Sequence, residues 1–309
     1  MHNYQIPLIY FPLKLVFVDD NLNMLNSTYS YFKDKYRCER ANSADEAIEI
    51  INKLPHFSYN LFTYETNRED DLQVEDNFKK FSLNIDNILN LVENTDRYNN
   101  VGIVVTDYKM GTKNGLELCG EIKNKYIKKI LLTGQLDAAQ GINAMNKQII
   151  DRYVKKGSDS IIQDLKEYIE ILHTAYFNQL SALNNDVLLN SDLYVLDDYD
   201  YIELFEKIVQ EHKIKEFYLI DSKGSFLMID EANEKFVLNV HTNKSLDEFI
   251  EIYQDEKHIS SLIDGIKSRK LIPFFGVNIN PASIELSRWY NHFYHTQTFK
   301  NFFWNWVKL

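Results

Sequence analysis

VGIVVTDYKMGTKNGLEL, residues 101–118, decides the fold of this chain. It opens with an apolar run that ends in Asp107, and it continues through a polar segment into the start of a helical pattern. A continuous apolar run predicts a strand that is buried on both faces, as in a parallel sheet. The stretch is therefore typical of one β–α unit in an α/β fold.

Four more strand-like runs alternate with helical patterns over residues 13–158. They are LKLVFV at 13–18, YRCERA at 36–41, KKILLTG at 128–134 and IIDRYVKK at 149–156. Ser43, with Glu46 three residues later, is a capping-box start for the helix after the second strand. Five strands that alternate with helices predict a five-stranded parallel sheet covered on both faces, and right-handed crossovers leave few topologies for it.

Length and composition favour two domains and disfavour several classes of protein. The chain has 309 residues, a formal net charge of −11, a pI of about 5.3 and 45% hydrophobic residues. An acidic balance disfavours a nucleic-acid surface, since phosphates are held mainly by Lys and Arg. Cys38 and Cys119 offer neither a disulfide framework nor a four-ligand zinc site. No apolar run is long enough for a membrane span, so we expect a cytoplasmic protein without membrane contact.

Polar side chains follow the predicted strands at their carboxyl ends. Asp19 and Asp20 follow the first strand, and Asp107 ends the third. Thr133 ends the fourth strand, and Lys156 ends the fifth. Each residue alone is more typical of a helix cap, a turn or a solvated surface. Ligands of open α/β sheets bind outside these strand ends, so we expect the five side chains to meet in one crevice.

Three carboxylates in one crevice repel each other unless a cation joins them. Mg²⁺ suits such oxygen ligands, because it keeps several waters and bridges to phosphate oxygens. Asp107 could then attack a phosphoryl donor and form an acyl phosphate. Catalysis would come mainly from positioning and charge neutralisation. Lys156 would pair with one phosphoryl oxygen, and the Thr133 hydroxyl would donate to another.

These motifs resemble the receiver domain of two-component response regulators. The resemblance is carried by FVDDN at 17–21, TDYKMGTKNGLEL at 106–118, ILLTG at 130–134 and RYVKK at 152–156. It implies a flavodoxin-like (βα)5 fold for residues 13–158. It also implies Mg²⁺ as the cofactor and a histidine kinase or phosphotransfer protein as the partner that supplies the phosphoryl group.

The resemblance assigns a role to each residue of the expected site. The implied metal ligands are Asp19, Asp20, Asp107 and the backbone carbonyl of Lys109. The implied reactive and switch residues are Asp107 as phosphoacceptor, Thr133 as switch hydroxyl, Tyr153 as switch aromatic and Lys156 as the lysine of the family. Lys155, its neighbour, is the alternative to Lys156.

The chain departs from the family pattern in the loops around this site. Gly111 and Gly157 stand where the family usually has proline, so we expect different loop geometry there. Lys109 brings an unusual charge two residues after Asp107. We predict that it tunes the lifetime of the phosphorylated state, so that Lys109→Ala changes the dephosphorylation rate.

The largest departure is an insertion at residues 56–98, after the second helix. Helical patterns are predicted in it at 72–81 and 85–92. Long insertions in surface loops cost little stability, so one interpretation is a tolerated decoration. The other is a partner or dimer surface, which closely spaced aromatic residues suggest.

Residues 159–190 predict a long helix that joins two domains. Its apolar positions step by three and four, as in the seam of a coiled coil. We expect its first turns to cover the sheet and the remainder to reach past the domain, with a homodimer as the preferred outcome. Residues 191–309 predict an α+β domain with a three-stranded meander, Gly224 in the first turn, and an aromatic-rich end that packs as core.

The leading functional hypothesis is a two-component response regulator that a histidine kinase phosphorylates on Asp107. Phosphorylation would switch dimerisation and the contact of the C-terminal domain with an unidentified protein partner. The alternatives are a receiver-regulated enzyme and an atypical DNA-binding transcriptional regulator. Residues 191–309 carry no nucleophile–base or metal constellation, and the acidic charge disfavours DNA, so enzymatic activity is expected only in the phosphorylation and dephosphorylation of the receiver itself.

Overall fold

The computed structural model describes residues 6–53, 61–65, 80–134, 138–158, 160–182, 192–277 and 281–309. The chain divides into two compact units. Residues 11–58 and 94–182 form the first, which we call the parallel-sheet unit. Residues 1–10, 59–93 and 183–309 form the second, the antiparallel-sheet unit. Both units are discontinuous in sequence, because segments before and within the first one belong to the second.

Strands and helices alternate along the parallel-sheet unit. Its strands are β1 Lys14–Val18, β2 Arg37–Ala41, β3 Val101–Asp107, β4 Lys128–Thr133 and β5 Arg152–Lys155. Its helices are α1 Leu22–Phe32, α2 Ala44–Lys53, α3 Gly115–Glu121, α4 Ala138–Asn146 and α5 Ile161–Ala182. The predicted cap forms at α2, where the Ser43 hydroxyl accepts the backbone N–H of Glu46 at 3.2 Å.

The strands form one parallel sheet in the spatial order β2-β1-β3-β4-β5. This order confirms the predicted flavodoxin-like (βα)5 fold. Strands β1 and β3 lie side by side although β2 comes between them in sequence. The winding direction of the sheet reverses there, and such a switch point opens a crevice at the carboxyl ends of the strands.

Alternate residues of the central strand β1 supply two separate cores. Leu15 and Phe17 lie on one face with residues of α1 and α5. Val16 and Val18 lie on the other face with residues of α2 and α3. Successive side chains of a strand point to opposite faces. Because both faces are covered, the strand reads as a continuous apolar run instead of an alternating one.

Helix α5 belongs to the parallel-sheet unit along its whole length. Its residues in the first core are Leu165, Ile169 and Leu172. Further along, Tyr176 is buried, and its hydroxyl accepts a hydrogen bond from Asn100 Nδ2 at 2.6 Å. The expectation that the second half of this helix reaches past the domain is therefore wrong, because the core of the same unit covers its apolar positions. Residues 183–190 of the predicted linker lie outside the described residues.

The antiparallel-sheet unit is built on a six-stranded sheet. In spatial order its strands are Ile9–Tyr10, Ile214–Leu219, Phe226–Asp230, Lys235–Thr242, Phe302–Lys308 and Gln297–Phe299. Its described α-helices are Ile85–Glu93, Tyr199–Glu211, Asn243–Tyr253 and Ser260–Lys267. Gly224 lies in the first meander turn with a φ of 94°, a left-handed conformation that favours glycine. The predicted α+β class and the meander are confirmed.

Three strands of this sheet are missing from the sequence-based prediction. Ile9–Tyr10 pairs with Ile214–Leu219 at one edge, and Phe302–Lys308 and Gln297–Phe299 close the other. The aromatic-rich end does pack as core, since Phe302 and its neighbours are buried. Two of the missed pairings join segments that are far apart in sequence, so no short turn signal announces them.

Residues 59–93, most of the predicted insertion, belong to the antiparallel-sheet unit. They include the paired strands Phe62–Glu65 and Lys80–Leu83 and the helix Ile85–Glu93. The helix matches the pattern at 85–92, and its inward residues Ile88, Leu91 and Val92 are buried. The insertion therefore groups with the antiparallel-sheet unit, and its interpretations as a tolerated decoration or as a partner surface stay predictions. The strand Lys80–Leu83 stands where the end of the helix predicted at 72–81 was expected, and the other residues of that prediction lie outside the described ones. The aromatic side chains that suggested a partner surface also lie outside the described residues.

A buried polar cluster ties the large sheet to the strand Leu271–Pro273. His241 Nε2 donates to the carbonyl oxygen of Pro273 at 3.0 Å, and Asn239 Nδ2 donates to the same oxygen at 3.2 Å. Burial, with a smaller effect from the charge of Lys223, lowers the pKa of His241 to about 3, although the bond to Pro273 opposes it. The folded unit therefore holds His241 neutral.

We expect this unit to lose stability as the pH falls below 6.5. The unfolded chain binds a proton at His241 near its ordinary pKa of 6.5, whereas the folded unit binds it near pH 3. Stability from this group is thus full above pH 6.5 and is lost as the pH falls, by about 2 kcal/mol between pH 7 and pH 5. Urea unfolding followed by tryptophan fluorescence measures the loss, because all three tryptophans lie in this unit.

His241→Gln keeps an N–H donor but does not titrate. Between pH 7 and pH 5 its free energy of unfolding should therefore lack the decrease of about 2 kcal/mol that His241 causes in the wild type. His258 is exposed in the same unit, and His258→Gln is the matched control that should keep the wild-type pH dependence. The same pH dependence in His241→Gln and wild type would contradict the prediction.

Candidate functional site

The candidate site lies where β1 and β3 end beside each other. Val18 of β1 pairs with Thr106 of β3, so the next residues, Asp19 and Asp107, follow at the same edge of the sheet. Both aspartates are buried, with 4% and 8% of their surface exposed. Asp20, one residue further, lies exposed at the rim. The predicted convergence of these carboxylates is therefore present in the structure.

The Lys156 ammonium joins the two buried carboxylates. Its Nζ lies 2.7 Å from Asp19 Oδ2 and 2.9 Å from Asp107 Oδ2. Lys155, the alternative considered from the sequence, is exposed on β5. The backbone places Lys156 beside this site. Its N–H donates to the carbonyl oxygen of Thr133 at 2.7 Å, which holds the lysine beside the end of β4.

The loop after Asp107 is fixed by its backbone. Tyr108 N–H donates to the carbonyl oxygen of Leu132 at 2.7 Å, which extends the pairing of β3 with β4. The Tyr108 carbonyl oxygen then accepts the N–H of Gly115, the first residue of α3, at 2.9 Å. Asn114 caps this helix in a capping box with Glu117. These bonds hold the backbone of Asp107 between the sheet and the start of α3.

Each acidic residue after β1 also accepts a backbone N–H. Asp19 Oδ1 accepts from Asn21 at 2.9 Å, so both of its oxygens are engaged once Lys156 is counted. Asp20 Oδ2 accepts from Gly111 at 3.1 Å. Hydrogen bonds from backbone amides to carboxylates fix the orientation of the side chain.

Burial and charge oppose each other at the two central groups. Burial raises the pKa of Asp107 above its ordinary value, and the nearby Asp19 carboxylate adds to this, while the hydrogen bond and charge of Lys156 only partly offset the rise. Burial alone would lower the pKa of Lys156, but its hydrogen bonds to Asp19 and Asp107 outweigh burial and raise it. Lys156 is therefore charged at neutral pH.

The acidic residues fit a divalent cation. One carboxylate oxygen from each of Asp19, Asp20 and Asp107 can be chosen so that all lie within 4.8 Å of one another. Oxygen ligands of Mg²⁺ at about 2.1 Å are at most about 4.2 Å apart, so small side-chain movements would complete such a set. Three carboxylates against one ammonium leave a negative crevice, which also favours a cation. The donor set is hard oxygen only, as Mg²⁺ requires.

The remaining predicted residues lie on β4, on β5 and in the loop after β3. Thr133 is buried at the end of β4, and Tyr153 is half-buried on β5. Lys109 is exposed in the loop after β3. The metal-ligand role of its carbonyl, its effect on phosphorylated-state lifetime, and the switch roles of Thr133 and Tyr153 stay predictions.

The two glycines that replace prolines have different structural consequences. Gly157 has a φ of 85°, which proline cannot reach, so the loop after Lys156 differs from a proline-containing one. Gly111 has no positive φ, and its N–H serves Asp20. The sequence shows that residue 111 is a glycine with a backbone N–H, but it does not show which acceptor that N–H binds.

Comparison with known proteins supports one class. No protein-family model matches the chain, and no curated protein matches it. Among solved structures, the response regulator LqsR of Legionella pneumophila is 28% identical, with 98% of this chain and 89% of that chain covered and a TM-score of 0.78. This chain is similar to a response regulator. Because the match covers nearly the whole chain, it extends to both units, and the parallel-sheet unit has the flavodoxin-like fold of a receiver domain.

Two further matches cover about half of this chain. A response regulator receiver domain protein from Clostridium thermocellum is 22% identical, with 55% of this chain and 98% of that chain covered and a TM-score of 0.34. The response regulator protein TrrA of Thermotoga maritima, in complex with Mg(2+)-BeF, is 20% identical, with 52% and 98% covered and a TM-score of 0.33. Among the described residues, no helix has the length and apolar character to cross a membrane.

Proposed function

We propose that Asp107 accepts a phosphoryl group from a histidine kinase or a phosphotransfer protein. The observation that carries the proposal is the contact of one ammonium, Lys156 Nζ, with both Asp19 and Asp107 at 2.7 and 2.9 Å. The Asp20 carboxylate adds a third acidic group, with one oxygen within 4.8 Å of an oxygen of Asp19 and of Asp107. A cation site and a lysine beside one carboxylate are the groups that phosphoryl transfer to that carboxylate needs.

In the proposed reaction, a carboxylate oxygen of Asp107 attacks the phosphorus of a phosphohistidine. The new P–O bond forms as the P–N bond breaks, and the imidazole leaves with the bonding electron pair and takes a proton from solvent. Lys156 can move from the Asp107 carboxylate to a phosphoryl oxygen, and the Thr133 hydroxyl can donate to another. Mg²⁺, held by Asp19, Asp20, Asp107 and the Lys109 carbonyl, would neutralise charge on the transferred group.

The proposed output is a change in protein contacts. Phosphorylation adds a charge of about −1.5 to −2 at Asp107, which would reorganise Thr133 at the end of β4 and Tyr153 on β5. We propose a cytoplasmic protein whose antiparallel-sheet unit contacts a protein partner. The apolar positions of α5 that suggested a dimer are buried in the parallel-sheet unit, so dimerisation stays a prediction to be tested by sizing.

Incubation of the full chain with acetyl phosphate and MgCl2 tests the proposal. Intact-mass analysis should show one added phosphoryl group in the wild type, and borohydride trapping should place it on Asp107. The adduct should be absent in Asp107→Asn and should disappear when EDTA removes Mg²⁺, because the cation is needed to offset the charge of the donor.

Asp34→Asn is the matched control, since it makes the same chemical change at an exposed position in the same unit. It should form the adduct as the wild type does. A wild type without an adduct, or an adduct of equal yield in Asp107→Asn, would overturn the proposed function. Sizing of the phosphorylated and unphosphorylated protein reports the oligomeric state.

A further inference from the structure

Asp20 differs from the other two acidic residues in how it is held. Asp19 and Asp107 are buried and contact Lys156, whereas Asp20 is exposed and accepts the Gly111 N–H at 3.1 Å. Gly111 belongs to the loop between β3 and α3, so a backbone amide from one strand end orients a carboxylate from another. An exposed side chain loses rotamer freedom when it binds a cation, and a bond that fixes it beforehand reduces that cost.

The bond engages only one oxygen of the carboxylate. With Oδ2 on the Gly111 amide, Oδ1 stays available to a cation. The partial positive charge of the N–H also lessens the repulsion between Asp20 and its acidic neighbours. Partners that orient a ligating carboxylate in this way contribute roughly 10- to 100-fold to metal affinity.

The feature that matters at position 111 is the N–H and not the missing side chain. A Cβ built on Gly111 would meet no heavy atom within 4 Å, and its φ is not positive. Alanine therefore fits and keeps the donor. Proline, the residue usual in the family at this position, has no N–H and cannot make the bond.

We propose that the Gly111 amide is a positioning group for the divalent cation, which it serves by holding Asp20 in the orientation that binds metal. The inference rests on the proposed function, because it assumes that Asp20 is a metal ligand. It makes the cation affinity of this receiver depend on a backbone donor that a proline-containing loop does not have.

Titration calorimetry of the full chain with MgCl2 tests the inference with two substitutions at one position. Gly111→Pro should weaken Mg²⁺ binding by about 10-fold or more. Gly111→Ala, the matched control, should stay within about 2-fold of the wild type. Circular dichroism without Mg²⁺ shows whether each variant is folded, and the Mg²⁺-induced rise in melting temperature gives a second measure of binding.

A cycle with Asp20→Asn separates positioning from a general distortion of the loop. If Gly111 acts through Asp20, Gly111→Pro should cost little further affinity when Asp20→Asn is already present. An equal loss with and without Asp20→Asn, or equal affinities of Gly111→Pro and Gly111→Ala, would overturn the inference. A wild type that binds no Mg²⁺ would instead overturn the proposed function on which it rests.

Discussion

Lys156→Met is expected to destabilise the parallel-sheet unit by about 3 kcal/mol in the absence of Mg²⁺. The ammonium contacts Asp19 and Asp107, whose side chains are only 6% and 12% exposed. Removing one partner of a buried ion pair leaves a buried charge without compensation, which costs more than the pair contributes. The two carboxylates would also repel each other more strongly once the lysine is gone.

The same substitution should have opposite effects on the two ligands of the site. Mg²⁺ affinity should rise, because the cation no longer competes with the ammonium for Asp19 and Asp107. Phosphoryl uptake from acetyl phosphate should fall about 100-fold or more, since a charge that stabilises the transferred group is missing. Saturating MgCl2 should restore much of the lost stability, because a ligand of the folded state stabilises it by mass action.

Thermal unfolding followed by circular dichroism, with and without MgCl2, measures the stability, and tryptophan fluorescence reports the antiparallel-sheet unit separately. Lys155→Met is the matched control, because Lys155 is the exposed neighbour of Lys156. It should change the unfolding free energy by about 0.5 kcal/mol or less. Equal melting temperatures of the two variants without Mg²⁺ would contradict the prediction.

The sequence was sufficient for the parallel sheet and its acidic edge because the signals there are local. Apolar runs define β1 and β3, and the residues that follow each run must lie at one edge once the strands are parallel. The contacts of Lys156 with Asp19 and Asp107 follow from that placement. Side-chain roles that depend on strand ends are therefore predictable from one sequence.

The helix α5 shows where a local pattern fails. Apolar residues three and four apart fit the seam of a coiled coil and equally fit a helix packed on a sheet. The sequence alone does not distinguish the two packings, because the distinction depends on what surrounds Leu172 and Tyr176. Both side chains are buried within the parallel-sheet unit. The division into two units was hidden for a related reason, because the pairing of Ile9–Tyr10 with Ile214–Leu219 joins segments far apart in sequence.

The site itself holds a detail that sequence reasoning could not supply. Gly111 and Gly157 are visible as departures, but one provides a hydrogen-bond donor to Asp20 and the other a left-handed turn. Which consequence applies depends on the φ angle and on the nearest acceptor, and neither is encoded in residue identity alone. Glycine positions near a site therefore need the structure before they can be interpreted.

Gly115→Ala is expected to destabilise the parallel-sheet unit by about 3 kcal/mol, at the upper end of what overpacking usually costs. A Cβ at this position would lie 2.1 Å from the backbone oxygen of Asp107 and 2.8 Å from Leu131 Cδ1. The backbone of Asp107 cannot move away freely, because β3 is paired with β4 there and Tyr108 N–H is bonded to Leu132. The strain would fall on the residue proposed to be phosphorylated.

Gly120→Ala in the same helix separates this clash from the ordinary effect of replacing a helical glycine. Gly120 is exposed, and a Cβ there would meet nothing within 4 Å. Alanine should therefore stabilise the helix at position 120 by up to about 1 kcal/mol. Urea unfolding followed by circular dichroism should thus give opposite signs for two identical substitutions five residues apart. Phosphoryl uptake should fall only in Gly115→Ala, and a Gly115→Ala protein as stable as Gly120→Ala would show that the backbone of Asp107 can yield.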